Sequence, residues 1–274
     1  MRFRFAADFA TQAIRRAVPV LLSIFLASGV VSAQQPAKPK TPPASQQQSA
    51  KPSPTDRIKC IGVASAIGDA FYLRKIGITV FNNESDHVPI ESWQIDNLVI
   101  NKLSSLLSKN RAVRRISYPK GAFASLDADH PLFFNYEEEL RGIVRGVASS
   151  TPCDHHVVVV KSASRYSDTN QSLYGLGMLE LGAPLRTGEF IYALYSIRVY
   201  DGQNFALLGR RDAVIEEPNI LTAWMKPIHG PYVVVDTSWR PDAGAAPGLM
   251  VRDGIRALVE KGLDVTMPMI LSTD

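Results

Sequence analysis

The chain is poor in the features that mark nucleic-acid-binding proteins. It has only 2 cysteines among 274 residues, and its aromatic fraction of 8% is that of an ordinary globular chain. The residues before Ile58 hold eight basic and two acidic side chains, which leaves 22 basic against 24 acidic residues, a net charge of −2, for the rest. The whole-chain charge of +4 is therefore no sign of phosphate binding, and we expect no nucleic-acid partner.

Motifs that place a catalytic centre are also missing. The sequence contains no G-x-S-x-G elbow, no H-E-x-x-H, no P-loop and no C-x-x-C pair. Gly175 and Gly177 begin like a dinucleotide loop, but Glu180 stands where a third glycine is needed. We interpret these glycines as sites of close backbone approach, and we expect no catalytic residues, no cofactor and no bound metal.

Residues 1–33 have the pattern of a secretion signal. Arg15 and Arg16 precede an uncharged stretch with a strongly apolar centre, and small residues end this stretch just before Gln34. We predict cleavage between Ala33 and Gln34, with export to the periplasm or the surroundings of a bacterial cell. The alternative is an uncleaved segment that anchors the protein to the membrane.

The composition then changes twice. Residues 34–57 contain six prolines and five glutamines and no Val, Ile, Leu, Met or aromatic residue, so they are predicted to form a disordered linker. Residues 58–274 have the composition and the alternation of strand and helix patterns expected of one α/β domain. We predict a mixed parallel and antiparallel sheet flanked by helices, with no stable membrane span after cleavage.

Two strands are predicted to be central in this sheet. Residues 58–66 and 156–161 are apolar runs, and the second consists largely of valine, which is typical of a strand covered on both faces. Helical spacing over residues 95–107 and 133–147 separates them, which predicts parallel strands joined by right-handed crossovers.

The remaining elements follow from turn and helix signals. A second strand, antiparallel to the first, is predicted over residues 71–81, and other strands over 113–118, 173–181, 190–200 and 205–215. Helices are predicted at 218–225 and at 249–261, the latter ending at Gly262. Asn110 is expected to cap the first long helix, and Glu137 to pair with Arg141 on the second.

The two cysteines each stand at the start of a predicted parallel strand. If those strands are neighbours, Cys60 and Cys153 lie at the same height, and we predict a disulfide between them that closes a loop of about 93 residues. The alternative is two small buried thiols that remain reduced.

The segment Cys153, Asp154, His155, His156 is the densest group of metal-ligating residue types. Neighbouring residues on a strand point to opposite faces, so three of them cannot converge on one ion, and polar groups at the rim of the sheet are the expected interpretation.

At the level of strand order and hydrophobic pattern, the chain resembles a superfamily of bacterial envelope proteins. The residues that carry the resemblance are the strand at 61–68, the segment 77–81, the valine strand and the turn at 199–202. The superfamily includes the curli secretion lipoprotein, the lipoprotein activators of penicillin-binding proteins and the amino-terminal domain of TolB. The resemblance implies a helix-flanked mixed sheet that acts by binding partners; the lipidated cysteine common in that group is absent, and residues 201–205 replace its usual turn.

The expected function is therefore that of an exported, non-catalytic binding or assembly module, with an envelope protein or a cell-wall component as partner. One alternative is a secreted hydrolase with a site near residues 164–172 and the histidines. Another is a subunit of an oligomeric envelope pore, with strands from residues 173–200 as its membrane hairpin. Aromatic residues in loops predict either an interface or cover for the sheet edges: Phe123, Phe133, Phe134, Trp224, Tyr232 and Trp239.

Overall fold

A computed structural model describes residues 58–77, 83–109, 111–128, 131, 133–167, 169–183, 186–216, 227–236 and 247–271. The predicted signal segment and linker, the cap at Asn110 and the short helix at 218–225 lie outside the described residues.

Twelve strands and three α-helices make up the described part of the chain. In chain order they are β1 (Cys60–Ala66), β2 (Ala70–Ile76), β3 (Glu84–Pro89), α1 (Ile95–Leu107), β4 (Ala112–Arg115), α2 (Tyr136–Ala148), β5 (His155–Lys161), β6 (Ala163–Arg165), β7 (Ser172–Tyr174), β8 (Leu176–Ala183), β9 (Arg186–Ala193), β10 (Tyr195–Asp201), β11 (Leu207–Asp212), β12 (Tyr232–Val235) and α3 (Leu249–Leu271). Short 3-10 helices precede α1 and α2, at Glu91–Trp93 and Ala124–Asp127.

The strands form two five-stranded sheets and one small hairpin. The first sheet has the order β11-β10-β5-β1-β4, in which β4, β1 and β5 are parallel and β10 and β11 are antiparallel additions. The second has the order β12-β9-β8-β2-β3, with β2 and β8 parallel. The mixed α/β class and the parallel pairing of β1 with β5 are confirmed, whereas the second sheet was not predicted.

The chain passes from one sheet to the other at a corner. Backbone hydrogen bonds join the crossing segments there: Ser162 donates to Leu194, Leu194 to Gly175, and Gly175 to Ser162. On β1 the same change of direction occurs at Gly68, so β2 pairs with β3 and β8 and not with β1. The prediction of an antiparallel β1–β2 pair was therefore wrong, because the glycine marks a bend between sheets and not a hairpin turn.

The first sheet is covered on both faces. Val157 and Val159 pack into a core shared with α1 and α3, whereas Val158 and Val160 pack into a second core with α2. All four valines are at most 2% exposed. Alternation of side chains across a fully covered strand explains why the segment is apolar at every position and not at every second one.

The last helix is longer than predicted, because Gly262 lies inside it. The hydroxyl of Tyr195 donates to the carbonyl of Val259 at 2.8 Å, and a Cβ atom on Gly262 would collide with that hydroxyl. The glycine is thus needed for a close approach of helix and sheet and does not end the helix. In the described part of the chain, no helix combines the length and the apolar character required to cross a bilayer.

Three further predictions need correction. The polar segment after residue 82 is strand β3, whose residues are exposed apart from Val88. The strands predicted over 173–181 and 190–200 are each divided at the corner, by Gly175 with its φ of +63° and by Leu194. Arg141 contacts Glu138 at 3.2 Å in place of Glu137, which bonds arginines of β10 and β11.

Candidate functional site

A cleft lies where the parallel strands β1, β4 and β5 end. It has a volume of about 310 Å³. Its walls come from the carboxyl ends of these strands, the start of α1, the segment between β4 and α2, and Tyr174 of β7. In α/β proteins the crevice outside the carboxyl ends of parallel strands is the usual ligand site. We call the cleft at the ends of β1, β4 and β5 the first cleft.

Lys161, the last residue of β5, is the centre of one wall of the first cleft. Its ammonium group lies 2.9 Å from Asp69 and 2.5 Å from Asp127, and its side chain is 3% exposed. Burial alone would lower the pKa of Lys161, but the hydrogen bonds and charges of the two carboxylates raise it above its ordinary value. Lys161 is therefore a fixed positive charge that holds two carboxylates in place.

Tyrosine rings enclose this group of charges. The Lys161 ammonium group lies 5.7 Å from the centre of the Tyr72 ring and 5.8 Å from that of Tyr174, within cation–π range. The Tyr174 hydroxyl donates to Asp127 at 2.6 Å. Burial and the nearby Asp127 carboxylate raise the pKa of Tyr174, so its hydroxyl stays a proton donor.

Asp96, in the first turn of α1, ties the helix to the end of β1. One carboxylate oxygen accepts from the Ser65 hydroxyl at 2.6 Å and from the backbone amides of Ile67 at 2.9 Å and Gly68 at 3.2 Å. Burial raises the pKa of Asp96 against these hydrogen bonds. The Tyr118 hydroxyl, which lines the first cleft, donates to the carbonyl of Ser65 and so adds a further bond to the end of β1.

A second cleft of about 770 Å³ adjoins the first. Leu126, Tyr136, Lys161 and Tyr174 line both clefts and form the wall between them.

The charged residues of the second cleft are grouped around Glu137 of α2. Glu137 pairs with the buried Arg198 and, at 2.8 Å, with Arg210, which is 46% exposed. The Arg198 guanidinium also lies 5.1 Å from the centre of the Tyr136 ring.

The two predicted cysteines are brought together. Cys60 and Cys153 lie at the starts of β1 and β5, their Cα atoms are 4.8 Å apart, and their sulfur atoms are at disulfide distance. Asp154 fastens the same corner by accepting from the backbone amides of Lys59 and Cys60 at 2.8 and 2.9 Å. The cysteine pair is at the opposite end of the parallel strands from the first cleft. Cleavage between Ala33 and Gln34 falls outside the described residues and stays a prediction.

The histidine-rich segment at the start of β5 forms no converging cluster. His156 is 1% exposed and stacks on Phe205 with ring centres 5.5 Å apart. Burial lowers the pKa of His156, with a further contribution from the charge of His155, so its ring is held neutral. Among the described residues, no group of three or more His, Cys, Asp and Glu side chains is placed to hold a metal ion.

The loop at 164–172 is a hairpin tip held by its own hydrogen bonds. The Tyr166 amide donates to the carbonyl of Gln171 at 2.8 Å, and the Ser164 hydroxyl accepts from the His229 backbone amide at 2.8 Å. His229 thus meets Ser164 through its backbone and not through its ring. His130 and residue 168 lie outside the described residues.

The aromatic residues that were predicted either to form an interface or to cover the sheet edges differ in exposure. Phe123 is buried and lines the first cleft, whereas Phe133 is 97% exposed and lines the second. Phe134 and Tyr232 are partly buried. Trp224 and Trp239 lie outside the described residues.

Sequence reasoning missed the charged residues at the centre of the first cleft. Asp69, Asp127 and Lys161 are far apart in the chain and form no local motif. One signal was present: Lys161 follows four consecutive valines, and a charge that ends a buried parallel strand indicates a functional crevice.

The comparisons with known proteins give little similarity. No family model matches the sequence, and no curated protein matches it. Among solved structures, a Xanthomonas campestris protein assigned to the family DUF330 is 8% identical, covering 79% of this chain and 89% of that chain with a TM-score of 0.34. A hypothetical protein from Chlamydia trachomatis is 8% identical, covering 78% of this chain and 95% of that chain with a TM-score of 0.31. The resemblance to the envelope superfamily is not confirmed by these structures, and likeness at this level says nothing of function.

Proposed function

We propose that this chain is an exported, non-catalytic binding module of the bacterial cell envelope and that its ligand site is the first cleft. The signal pattern of residues 1–33 and the linker at 34–57 support export. The sulfur atoms of Cys60 and Cys153 lie at disulfide distance, and disulfides persist in oxidising compartments, which supports the same location. The expected partner is an envelope protein or a cell-wall component.

The observation that carries the proposal is the paired state of Lys161 in an open cleft. A lysine that acts as base or nucleophile needs a lowered pKa, whereas the two carboxylates beside Lys161 raise its pKa. Asp69 remains 53% exposed, so it can accept hydrogen bonds from a ligand while it holds Lys161. A cleft with fixed, partly accessible charges is suited to recognition.

The other reactive groups nearby support the same conclusion. Ser65, which donates to Asp96, is 0% exposed and therefore cannot meet a ligand. Tyr118 and Tyr174 have pKa values raised by burial, which makes them hydrogen-bond donors and not bases.

Photo-crosslinking in intact cells tests the site. A photoreactive residue in place of Asn97, which lines the first cleft, is expected to capture envelope material. The same residue in place of Gln203, in the exposed turn between β10 and β11, is the matched control and is expected to capture none. Equal capture from both positions would reject the site.

A substrate screen tests the absence of catalysis. Ester, peptide and glycan substrates are incubated with the exported protein, and no turnover above a Lys161→Met control is expected. Turnover that Lys161→Met abolishes would show that the first cleft is catalytic, and the proposal would fail.

A further inference from the structure

We propose that the two adjoining clefts form one site for an acidic oligosaccharide, a sugar chain that carries carboxylate groups. Its hydroxyl-rich rings occupy the first cleft, and a carboxylate faces the arginines of the second. This inference rests on the proposed function, because it names the ligand class of the site proposed there.

The polar groups of the first cleft match a ligand with many hydroxyls. Asp69 and Asp127 each present a carboxylate that Lys161 orients, and Asp127 also accepts from Tyr174. A carboxylate has about four lone-pair sites, so both can accept further hydrogen bonds, and Asp69 is the more exposed of the two. On the other side, the amides of Gln94 and Asn97 bond each other and line the same space. The carboxylates accept hydrogen bonds, and the side-chain amides both donate and accept them. Sugar hydroxyls also donate and accept, so neighbouring hydroxyls can bond both kinds of group.

Aromatic rings supply the apolar half of such a site. Tyr136 and Tyr174 line both clefts, and Phe123 lines the first with its ring centre 4.9 Å from that of Tyr118. A sugar ring has an apolar face of C–H groups beside its hydroxyls. Ring faces next to carboxylates therefore match its two-sided character, as in other pockets where apolar walls surround a few oriented polar groups.

The charges differ between the two clefts. Among the residues that line the first cleft, four are acidic and three are basic. Among those that line the second, Lys161, Arg198 and Arg210 are basic and Glu137 is acidic.

Arg210 is the arginine that a ligand can reach, because it is 46% exposed, whereas Arg198 is 2% exposed. Asp212 is a further neighbour of Arg210, at 3.9 Å on the other guanidinium nitrogen, and is 54% exposed. A carboxylate on the ligand is therefore placed at Arg210, where charge-assisted hydrogen bonds favour it.

The topology favours a sugar chain over a peptide. Extended peptides are bound by adding a strand to a free sheet edge. The first cleft lies at the ends of β1, β4 and β5, of which β1 and β5 are paired on both sides and only β4 is an edge strand. Its lining residues are at the ends of these strands and not along the free side of β4. Recognition there depends on side chains, which suits a ligand that has no backbone amides to pair.

Calorimetric titration of the exported protein tests the inference with two probes of equal length, an oligogalacturonate and a neutral chito-oligosaccharide. We expect the acidic probe to bind about tenfold more tightly. Arg210→Gln is expected to remove this preference, and Asp69→Asn to weaken both probes. Arg252→Gln is the matched control, because Arg252 is a partly exposed arginine of α3 with its own acidic partner, Asp253. This change is expected to leave both affinities unchanged.

Other outcomes would overturn the inference. Equal affinity for the two probes, or no binding of either, would reject an acidic sugar as ligand, and so would tighter binding of an acidic peptide of equal length. Crosslinks from position 97 in cells would in that case still support the first cleft as a binding site. Absence of those crosslinks together with absence of sugar binding would reject the site as well.

Discussion

Gly262 of α3 lies directly against the hydroxyl of Tyr195 on β10, and this contact fixes how closely helix and sheet pack. The hydroxyl donates to the carbonyl of Val259, one turn before the glycine. A side chain at position 262 would meet the hydroxyl oxygen, and Tyr195 is fully buried and cannot turn away.

Gly262→Ala is therefore expected to destabilise the protein by about 1–3 kcal/mol, although alanine favours helices. Gly146→Ala is the matched control, since Gly146 lies in α2 with open space around its Cβ position. That change is expected to stabilise by about 0.5–1 kcal/mol. Urea unfolding of both variants measures the difference, and equal effects would show that the Tyr195 contact is unimportant.

The ion pairs of Lys161 predict that removing the two carboxylates lowers the stability of the protein more than removing the ammonium group does. Asp69→Asn with Asp127→Asn leaves a buried ammonium group with no counter-ion and is expected to cost about 3–5 kcal/mol. Lys161→Met leaves two partly exposed carboxylates, which water can solvate, and is expected to cost less, about 1–3 kcal/mol. Unfolding curves decide this, and the opposite order would contradict it.

His156 predicts a loss of stability in mildly acidic solution. Burial lowers the pKa of His156 below its ordinary value of 6.5, so the unfolded chain takes up a proton first as the pH falls. Stability is then lost as the pH falls through 6.5 towards the lowered pKa. The free energy of unfolding between pH 8 and 5 is expected to fall less steeply in His156→Gln than in the unchanged protein, and parallel curves would reject this role.

The cysteine pair predicts a dependence on redox conditions. A bond across a sequence separation of 93 residues contributes on the order of 4 kcal/mol in the chain-entropy model. The double change Cys60→Ser with Cys153→Ser is expected to lower the free energy of unfolding by up to that amount. Reductant is expected to lower the free energy of unfolding of the unchanged protein by a similar amount. Mass spectrometry of the exported protein without reductant should show no free thiol, and two free thiols would contradict the prediction.

The central strands could be predicted from the sequence because burial on both faces leaves a local signal. The valines of β5 carry it, and so does the helical spacing that became α1. Strand β3 could not be predicted, since its residues are exposed apart from Val88 and mostly polar, and owe their conformation to pairing with β2. Gly262 was misinterpreted because a glycine needed for a tertiary contact looks the same in sequence as a helix cap.

The candidate site was less predictable than the fold. The carboxylates of Asp69 and Asp127 both bond Lys161 because β1 and β5 end side by side and the segment between β4 and α2 lies at the same edge of the sheet. These are contacts between residues distant in the chain. Hydrophobic periodicity reports which residues are buried but not which loops meet above the sheet. The cysteine pair could be predicted, since each cysteine lies at or just before the start of a strand and the parallel pairing of the two strands could be inferred.

The corner at Ser162, Gly175 and Leu194 has a mechanical consequence. The three residues form a closed ring of three backbone hydrogen bonds. Separation of any one segment therefore breaks its hydrogen bonds to both of the others. Slow amide exchange is expected at all three positions, with a common rate set by opening of both sheets at once. A mechanical force applied to one sheet is therefore expected to be transmitted through this corner to the other sheet.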